Sequence, residues 1–377
     1  MPDHWAPLQK LLEAGVSQGV FTAAVALAGL KGELRWQGAA GFLSRDPGAA
    51  AATLDTVFDL ASLTKPLATT LALMVLAGPG QLDLATPLGE VLPAAWLPPD
   101  KRPLTLRHLL THRAGLPAWR PFYQEVLAAP SEARPGLLAR LAAATPLEYS
   151  PDTATLYSDL GFMLLKAVVE SLSGKDLDRF CQEEIYRPLG LKTLGFIRLP
   201  QPAPAIPTTE NRPPKTENRL YAATEPGLIA GRPPAGEVHD ENAWAAGGVA
   251  GHAGLFGPGR EVFQLVASIY RAYAGEPVGP LTPAAVQLFL TVPAGADRAC
   301  GFDIPGVDPA ARAAGRYFSP RSVGHLGFTG TSFWLDLETG QMVVLLTNRV
   351  HLGRDDKTKI QAFRPRFHEA ASRALGF

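Results

Sequence analysis

Trp5, Leu8, Leu11, Leu12 and Val16 recur at helical spacing, so the chain opens on an amphipathic helix within residues 1–19 whose apolar stripe needs a partner. Two strand-like runs follow, Phe21–Leu30 and Glu33–Ala40, on either side of Lys31-Gly32. A tight turn between such runs predicts a β-hairpin. The C-terminal end mirrors this pattern. Ser332–Leu337 and the apolar run Met342–Thr347 flank a turn at Glu338-Thr339-Gly340, and a last helix is expected over Gln361–Leu375. Strands and flanking helices at both ends predict one antiparallel sheet assembled from the two termini.

Between Thr64 and about Leu199 the pattern is mainly helical: Thr64–Leu76, Leu106–Leu110, Pro135–Ala143, Leu160–Leu172 and Leu177–Arg187. Gly78-Pro79-Gly80 and Gly115-Leu116-Pro117 punctuate these segments. A Pro-rich passage, Pro200–Pro214 with a second at Pro233-Pro234, reads as long surface loop. The fold class expected is therefore α+β, an antiparallel sheet flanked by helices. Residues 1–63 and 200–377 would form the sheet domain, and residues 64–199 a mainly helical domain inserted into it. No fixed-period repeat is present.

At 377 residues the chain exceeds one ordinary core, which fits a large domain carrying an insertion. Lys+Arg and Asp+Glu balance at 35 each with no basic cluster, which argues against nucleic-acid or membrane-surface binding by a global field. No apolar run reaches the length of a transmembrane helix. The first segment carries Asp3, His4, Lys10 and Glu13 and reads as a helix rather than a signal peptide; the expectation is a cytoplasmic protein, or an exported one if a leader precedes this sequence. A monomer is expected. Cys181 and Cys300 have no metal-ligand spacing and read as two buried thiols.

The chemistry-bearing signal is Phe58-Asp59-Leu60-Ala61-Ser62-Leu63-Thr64-Lys65. A hydroxyl three residues before an amine, at the opening of a helix, puts both on one face. Serine is a poor nucleophile at neutral pH, and a desolvated lysine with a lowered pKa is a suitable base for it. The helix N-terminus adds N–H groups that favour developing negative charge. Alone, S-x-x-K is a weak pattern. Two later segments support it. Tyr157-Ser158-Asp159 sits in a loop-like stretch before a helix, where a tyrosine can take and return a proton. Gly324-His325-Leu326-Gly327-Phe328-Thr329-Gly330-Thr331-Ser332 leads into an apolar strand whose edge can approach a substrate and offer a backbone N–H.

In that order and at those separations the three segments resemble the serine β-lactamase and penicillin-recognising family, especially its class C branch with the related DD-peptidases and esterases. Leu104–His112, Ala114-Gly115-Leu116-Pro117 and Gly247–Phe256 are family-like as well, and the likeness runs from about Phe21 to Leu346. The resemblance implies a β-lactamase/DD-peptidase architecture and a cleft between the two parts. It implies an acyl-enzyme on Ser62, activation by Lys65, Tyr157 as second general acid/base, and His325-Leu326-Gly327 in place of K-T-G. The N–H groups of Ser62 and Phe328 would form the oxyanion hole. Asp159, Gly327, Asp240 and Arg349 would contact substrate, and no metal or organic cofactor is implied. Two positions depart from the family. Asp159 stands where Asn is usual and, ionised, can only accept hydrogen bonds. His325 replaces Lys and offers less fixed positive charge to a substrate carboxylate; Asn348-Arg349, just past the last strand, reads either as a solvated strand end or, through Arg349, as the substitute contact. Both changes point away from efficient β-lactam hydrolysis and towards a small ester or D-amino-acid peptide.

Other readings are blander. His108 and His112, four apart on a helix, lack the intervening acid and a third ligand of a metal site and read as structural histidines. His239-Asp240-Glu241-Asn242 reads equally as a cleft lining or a solvated loop, His252 as a packed turn residue, Trp334 as core, and Arg354–Lys357 as a solvated turn. The alternative function is a penicillin-recognising binding or sensing protein of the same fold that is acylated slowly or never.

Overall fold

The computed structural model describes residues 4–78, 80, 82–134, 136–199, 220–228, 235–306, 308 and 312–377. The Pro200–Pro214 passage and Pro233-Pro234 fall outside the described residues. The helices that bear on the site are α1 (Ala6–Ser17), α2 (Leu71–Ala77), α3 (Asp159–Ser173), α4 (Gly259–Tyr273) and α5 (Thr358–Leu375). The strands are β1 (Ala23–Leu30), β2 (Glu33–Gly41), β3 (Val57–Asp59), β4 (Gly195–Phe196), β5 (Leu255–Pro258), β6 (Ser322–Leu326), β7 (Ser332–Asp336) and β8 (Gln341–Thr347).

The main sheet is antiparallel throughout, in the order β2-β1-β8-β7-β6, so the N- and C-terminal hairpins meet at β1 and β8. Ala24 pairs with Thr347 and Leu30 with Gln341. Lys31 and Gly32 both take positive φ, as a two-residue hairpin turn matched to strand twist requires. Asn348 closes the seam: its Oδ1 accepts from the N–H groups of Thr22 (3.2 Å) and Ala23 (2.8 Å).

The central strands read as unbroken apolar runs because both faces are covered. The period-2 alternation divides them between two cores. Ala24, Ala26, Ala28, Val343 and Leu345 pack with Leu8 and Leu12 of α1 and Phe363 and Phe367 of α5. Ala23, Val25, Leu27, Val344 and Leu346 pack with Val262, Phe263 and Val266 of α4, in a core that continues through the helical residues Leu71, Leu109, Phe162 and Val168.

A second sheet, β3-β5-β4, leads the chain into the candidate site. Its short strands carry too few residues to show a period. β4 lies within the stretch read as helical and pairs with β5. β6, read as a Gly-rich approach, is a full strand paired to β7.

Candidate active site

At the end of β3 the chain must reverse from strand into helix. Ala61 does so at a φ of +48°, a left-handed conformation that costs a non-glycine residue about 1 kcal/mol or more. Asp59 holds the turn from within. Its carboxylate is buried and accepts the Ala61 N–H at 2.8 Å and the His239 N–H at 2.6 Å. Thr64 Oγ1 donates to the Ala61 carbonyl (2.6 Å) and accepts from the Leu255 N–H (3.1 Å). The single helix expected over Thr64–Leu76 is two pieces, a π-helical stretch over Lys65–Thr70 and then α2, and a 3₁₀ turn at Ala61–Leu63 bearing Ser62 precedes them. Such wide turns recur at functional sites because they re-aim one side chain within a helix.

Lys65 is fully buried. Its Nζ lies 3.1 Å from Ser62 Oγ, 3.2 Å from the His252 carbonyl and 2.7 Å from Asp159 Oδ1. The ammonium also faces the ring of Tyr157 at 4.8 Å and that of Phe162 at 5.7 Å. Burial is the largest single influence on this amine and pulls its pKa down. Asp159 and Tyr157, through charge and hydrogen bonding, outweigh it and hold Lys65 above the usual lysine value of 10.5. The lowered lysine pKa expected from desolvation is therefore corrected: the carboxylate at the Asp159 position reverses it, and the resting side chain is an ammonium.

Tyr157 is within hydrogen-bonding reach of both Lys65 and Ser62, and burial raises its pKa against the opposing charge of Lys65, so the resting phenol is neutral. Its ring lies between two histidines, with centroids 4.5 Å from His112 and 5.9 Å from His325. His112 Nδ1 accepts the Ser158 N–H at 3.0 Å and so pins the Tyr157 loop. His108 instead caps its own helix at Thr105 and meets Asp152 at 2.9 Å. His325 Nδ1 donates to the Leu326 carbonyl at 2.9 Å, which leaves Nε2 as the unprotonated nitrogen. Burial pulls its pKa down to about 4, so His325 is neutral at pH 7.

The β6–β7 turn is laced to the Ser62 turn. Thr329 Oγ1 donates to the Asp59 carbonyl (2.8 Å) and Thr331 Oγ1 to the Leu60 carbonyl (3.2 Å). A Cβ on Gly327 would lie 2.0 Å from Thr331 Oγ1 and 2.9 Å from the Leu60 carbonyl oxygen, so only glycine allows this approach. Among the described residues the Phe328 N–H has no hydrogen-bond acceptor. The partly exposed Phe328 ring stacks on His239 (5.7 Å) and faces Arg349 (4.8 Å) and Lys357 (4.9 Å). Arg349 is buried, and its guanidinium donates to the carbonyls of Phe328 (3.0 Å), Arg354 (3.2 Å) and Asp356 (3.1 Å).

Asp240 caps a short helix through the Ala243 N–H (2.8 Å) and meets His252 Nε2 at 2.9 Å. Ligand atoms of Asp159, Asp240 and His252 lie within 4.8 Å of one another, yet the Lys65 ammonium already occupies the cation position against Asp159. Arg354, read as part of a solvated turn, instead pairs with Glu225 (2.6 Å) and Glu241 (2.8 Å).

Ser62, Lys65, Tyr157, Asp159 and His325 thus converge. Arg349 and Asp240 border the cluster with their polar groups engaged elsewhere. Sequence reasoning gave no weight to Asp59, Thr329 and Thr331, whose signal was their place inside the quoted motifs. It valued His112 and His252 only as packing residues.

A family model described as Beta-lactamase matches residues 8–363. A protein of Escherichia coli (strain K12) named "Putative D-alanyl-D-alanine carboxypeptidase" is 33% identical over 318 residues, covering 80% of this chain and 70% of that protein. Solved structures share the fold, two of them as follows. EstCE1, a hydrolase with promiscuous acyltransferase activity, matches with a TM-score of 0.69 at 23% identity over 98% of each chain. The octameric penicillin-binding protein homologue from Pyrococcus abyssi gives 0.71 at 18% identity, covering 98% of this chain and 76% of its own. No helix among the described residues is long and apolar enough to cross a membrane.

Proposed function

The chain belongs to the Beta-lactamase family, and from that premise we propose that it is a serine acyl hydrolase forming an acyl-enzyme on Ser62. The observation that carries this reading is the buried Lys65 ammonium bridging Ser62 Oγ and Asp159. An ammonium cannot take the serine proton until it releases one of its own. As Ser62 Oγ attacks the substrate carbonyl, its proton passes to Lys65 Nζ while Lys65 gives a proton to Asp159 Oδ1. Lys65 stays an ammonium, Asp159 stores the proton, and the pair's net charge rises by one opposite the negative charge that develops on the substrate oxygen. The neutral Tyr157 hydroxyl, beside Ser62, donates to the leaving group and is reprotonated from the same pair. The N–H groups of Ser62 and Phe328 hold the tetrahedral oxyanion, and water then clears the acyl group by the reverse path.

A small ester is the substrate class these residues favour. Asp159 has no N–H for a substrate amide carbonyl, His325 is neutral, and Nε and Nη1 of Arg349 are turned to three backbone carbonyls. The relative named as a D-alanyl-D-alanine carboxypeptidase supports a second class, D-amino-acid peptides. For these Lys357, at the Phe328 rim, is the cation available to a substrate carboxylate.

The test is a fluorophosphonate probe read by intact mass on wild type and Ser62→Ala, with p-nitrophenyl esters, D-Ala-D-Ala peptides and nitrocefin as substrates. One adduct on the wild type, none on Ser62→Ala, and ester turnover above nitrocefin turnover are expected. A wild type without adduct would instead fit a binding or sensing protein and end the hydrolase mechanism.

A further inference from the structure

Arg364 of α5 is buried without a carboxylate partner among the described residues, and it feels the charge of another cation, Arg349. Burying an uncompensated guanidinium is strongly unfavourable. Among the described residues its Nε finds no partner. One group, Nη2, makes its hydrogen bonds, to the carbonyls of Gly327 (2.7 Å) and Thr331 (2.8 Å). These are the two ends of the β6–β7 turn, which the Gly327 N–H also closes onto the Thr331 carbonyl at 2.7 Å.

The Gly327 carbonyl and the Phe328 N–H belong to one planar peptide unit, so a group that fixes the oxygen fixes the hydrogen. Glycine at 327 leaves that unit free to rotate more than any other residue would. Besides Arg364, the Gly327 oxygen accepts only the Gly330 N–H of the turn itself, at 3.0 Å. A cation on the oxygen also polarises the amide and strengthens its N–H as a donor. We infer that Arg364, outside the substrate cleft, is a positioning residue that aims the Phe328 N–H into the oxyanion hole through the Gly327–Phe328 peptide. The inference rests on the acyl-enzyme reading above.

Arg364→Met removes both hydrogen bonds, Arg364→Gln leaves a shorter neutral donor, and Arg364→Lys restores the charge. Active sites are first counted with the fluorophosphonate. Per active site, kcat for a p-nitrophenyl ester is expected to fall about 10–100-fold in Arg364→Met, because a donor displaced by an ångström loses most of its effect. KM should move less than about threefold, affinity for an arylboronic acid should fall in step with kcat, and Arg364→Lys should recover part of both. A purely structural role would lower the melting temperature and the active fraction but leave kcat per active site and boronate affinity intact. A kcat within twofold of wild type in folded Arg364→Met overturns the inference. Should that variant not fold, the same result in Arg364→Gln overturns it. No adduct on the wild type would instead remove the acyl-enzyme reading, and this one with it.

Discussion

Asp159→Asn isolates the charge that decides which form Lys65 takes. The two groups are 2.7 Å apart with 0% and 17% of their side chains exposed, so little water screens them. At an effective dielectric of 20 their attraction is about 6 kcal/mol, which holds the lysine above where an uncharged neighbour would leave it. Asparagine removes that support. The downward pull of burial, the largest single influence on the amine, is then opposed only by Tyr157. Lys65 in the variant should lose its proton at a lower pH than in the wild type, where Asp159 keeps it charged. The consequence is kinetic. Wild-type kcat/KM for an ester should show no lysine ionisation from about pH 6 to 9. The variant should gain a rising limb of unit slope in that window as the free amine appears and acts directly as base. Titration of the lysine followed by carbon-13 NMR reads the same shift without turnover. An unmoved lysine titration together with an unchanged pH–rate profile would refute both the electrostatic argument and the proton path through Asp159.

Other residues yield further expectations. Burial depresses the pKa of both His325 and His368 to about 4. A depressed pKa means stability present above the unfolded value of 6.5 and lost as pH falls towards 4, about 3 kcal/mol for each histidine. The urea midpoint should therefore drop between pH 7 and 4.5, and less so in His368→Gln; equal acid sensitivity in both proteins would contradict the assignment. Asp59→Ala strips the acceptor from two N–H groups at the strained Ser62 turn, so a loss of about 2–6 kcal/mol is expected in chemical denaturation, with reduced turnover. A melting curve superimposable on wild type would show the turn holds itself. Gly327→Ala forces a Cβ against Thr331 and Leu60 and should lower ester kcat at least about tenfold while destabilising by about 1–3 kcal/mol. Normal turnover in that variant would remove the turn from the oxyanion hole.

The two terminal hairpins were readable because their strands are long enough to show a pattern and are bounded by turn residues, Lys31-Gly32 and Glu338-Thr339-Gly340. The helix α5 was readable despite Pro365 within it. β3, β4 and β5 were not: at two to four residues they carry no period, and pairing across the fold alone makes them strands. At the site, residue types were legible and their states were not. Ser62, Lys65 and Tyr157 lie in recognisable segments, yet the protonation of Lys65 follows from its separation from Asp159, which lies 94 positions away in the chain. Arg349 looked like a candidate for a substrate carboxylate, but nothing in its local sequence shows that three backbone carbonyls claim it. Arg364 stands among the arginines of an ordinary-looking helix and gains meaning only from the turn packed against it.

The β1–β8 seam sets a timetable for the chain's own synthesis. β1 is apolar on both faces, and its partner β8 is the last of the described strands to be made. At about 5–20 residues per second, the roughly 320 intervening residues take on the order of 15–60 s to emerge. For that interval the N-terminal hairpin is a sticky strand edge awaiting its neighbour, and the Asn348 clasp cannot form. A message cut short anywhere before that point does not yield a smaller enzyme. It yields a chain with an open apolar edge, suited to chaperones, proteases or its own copies.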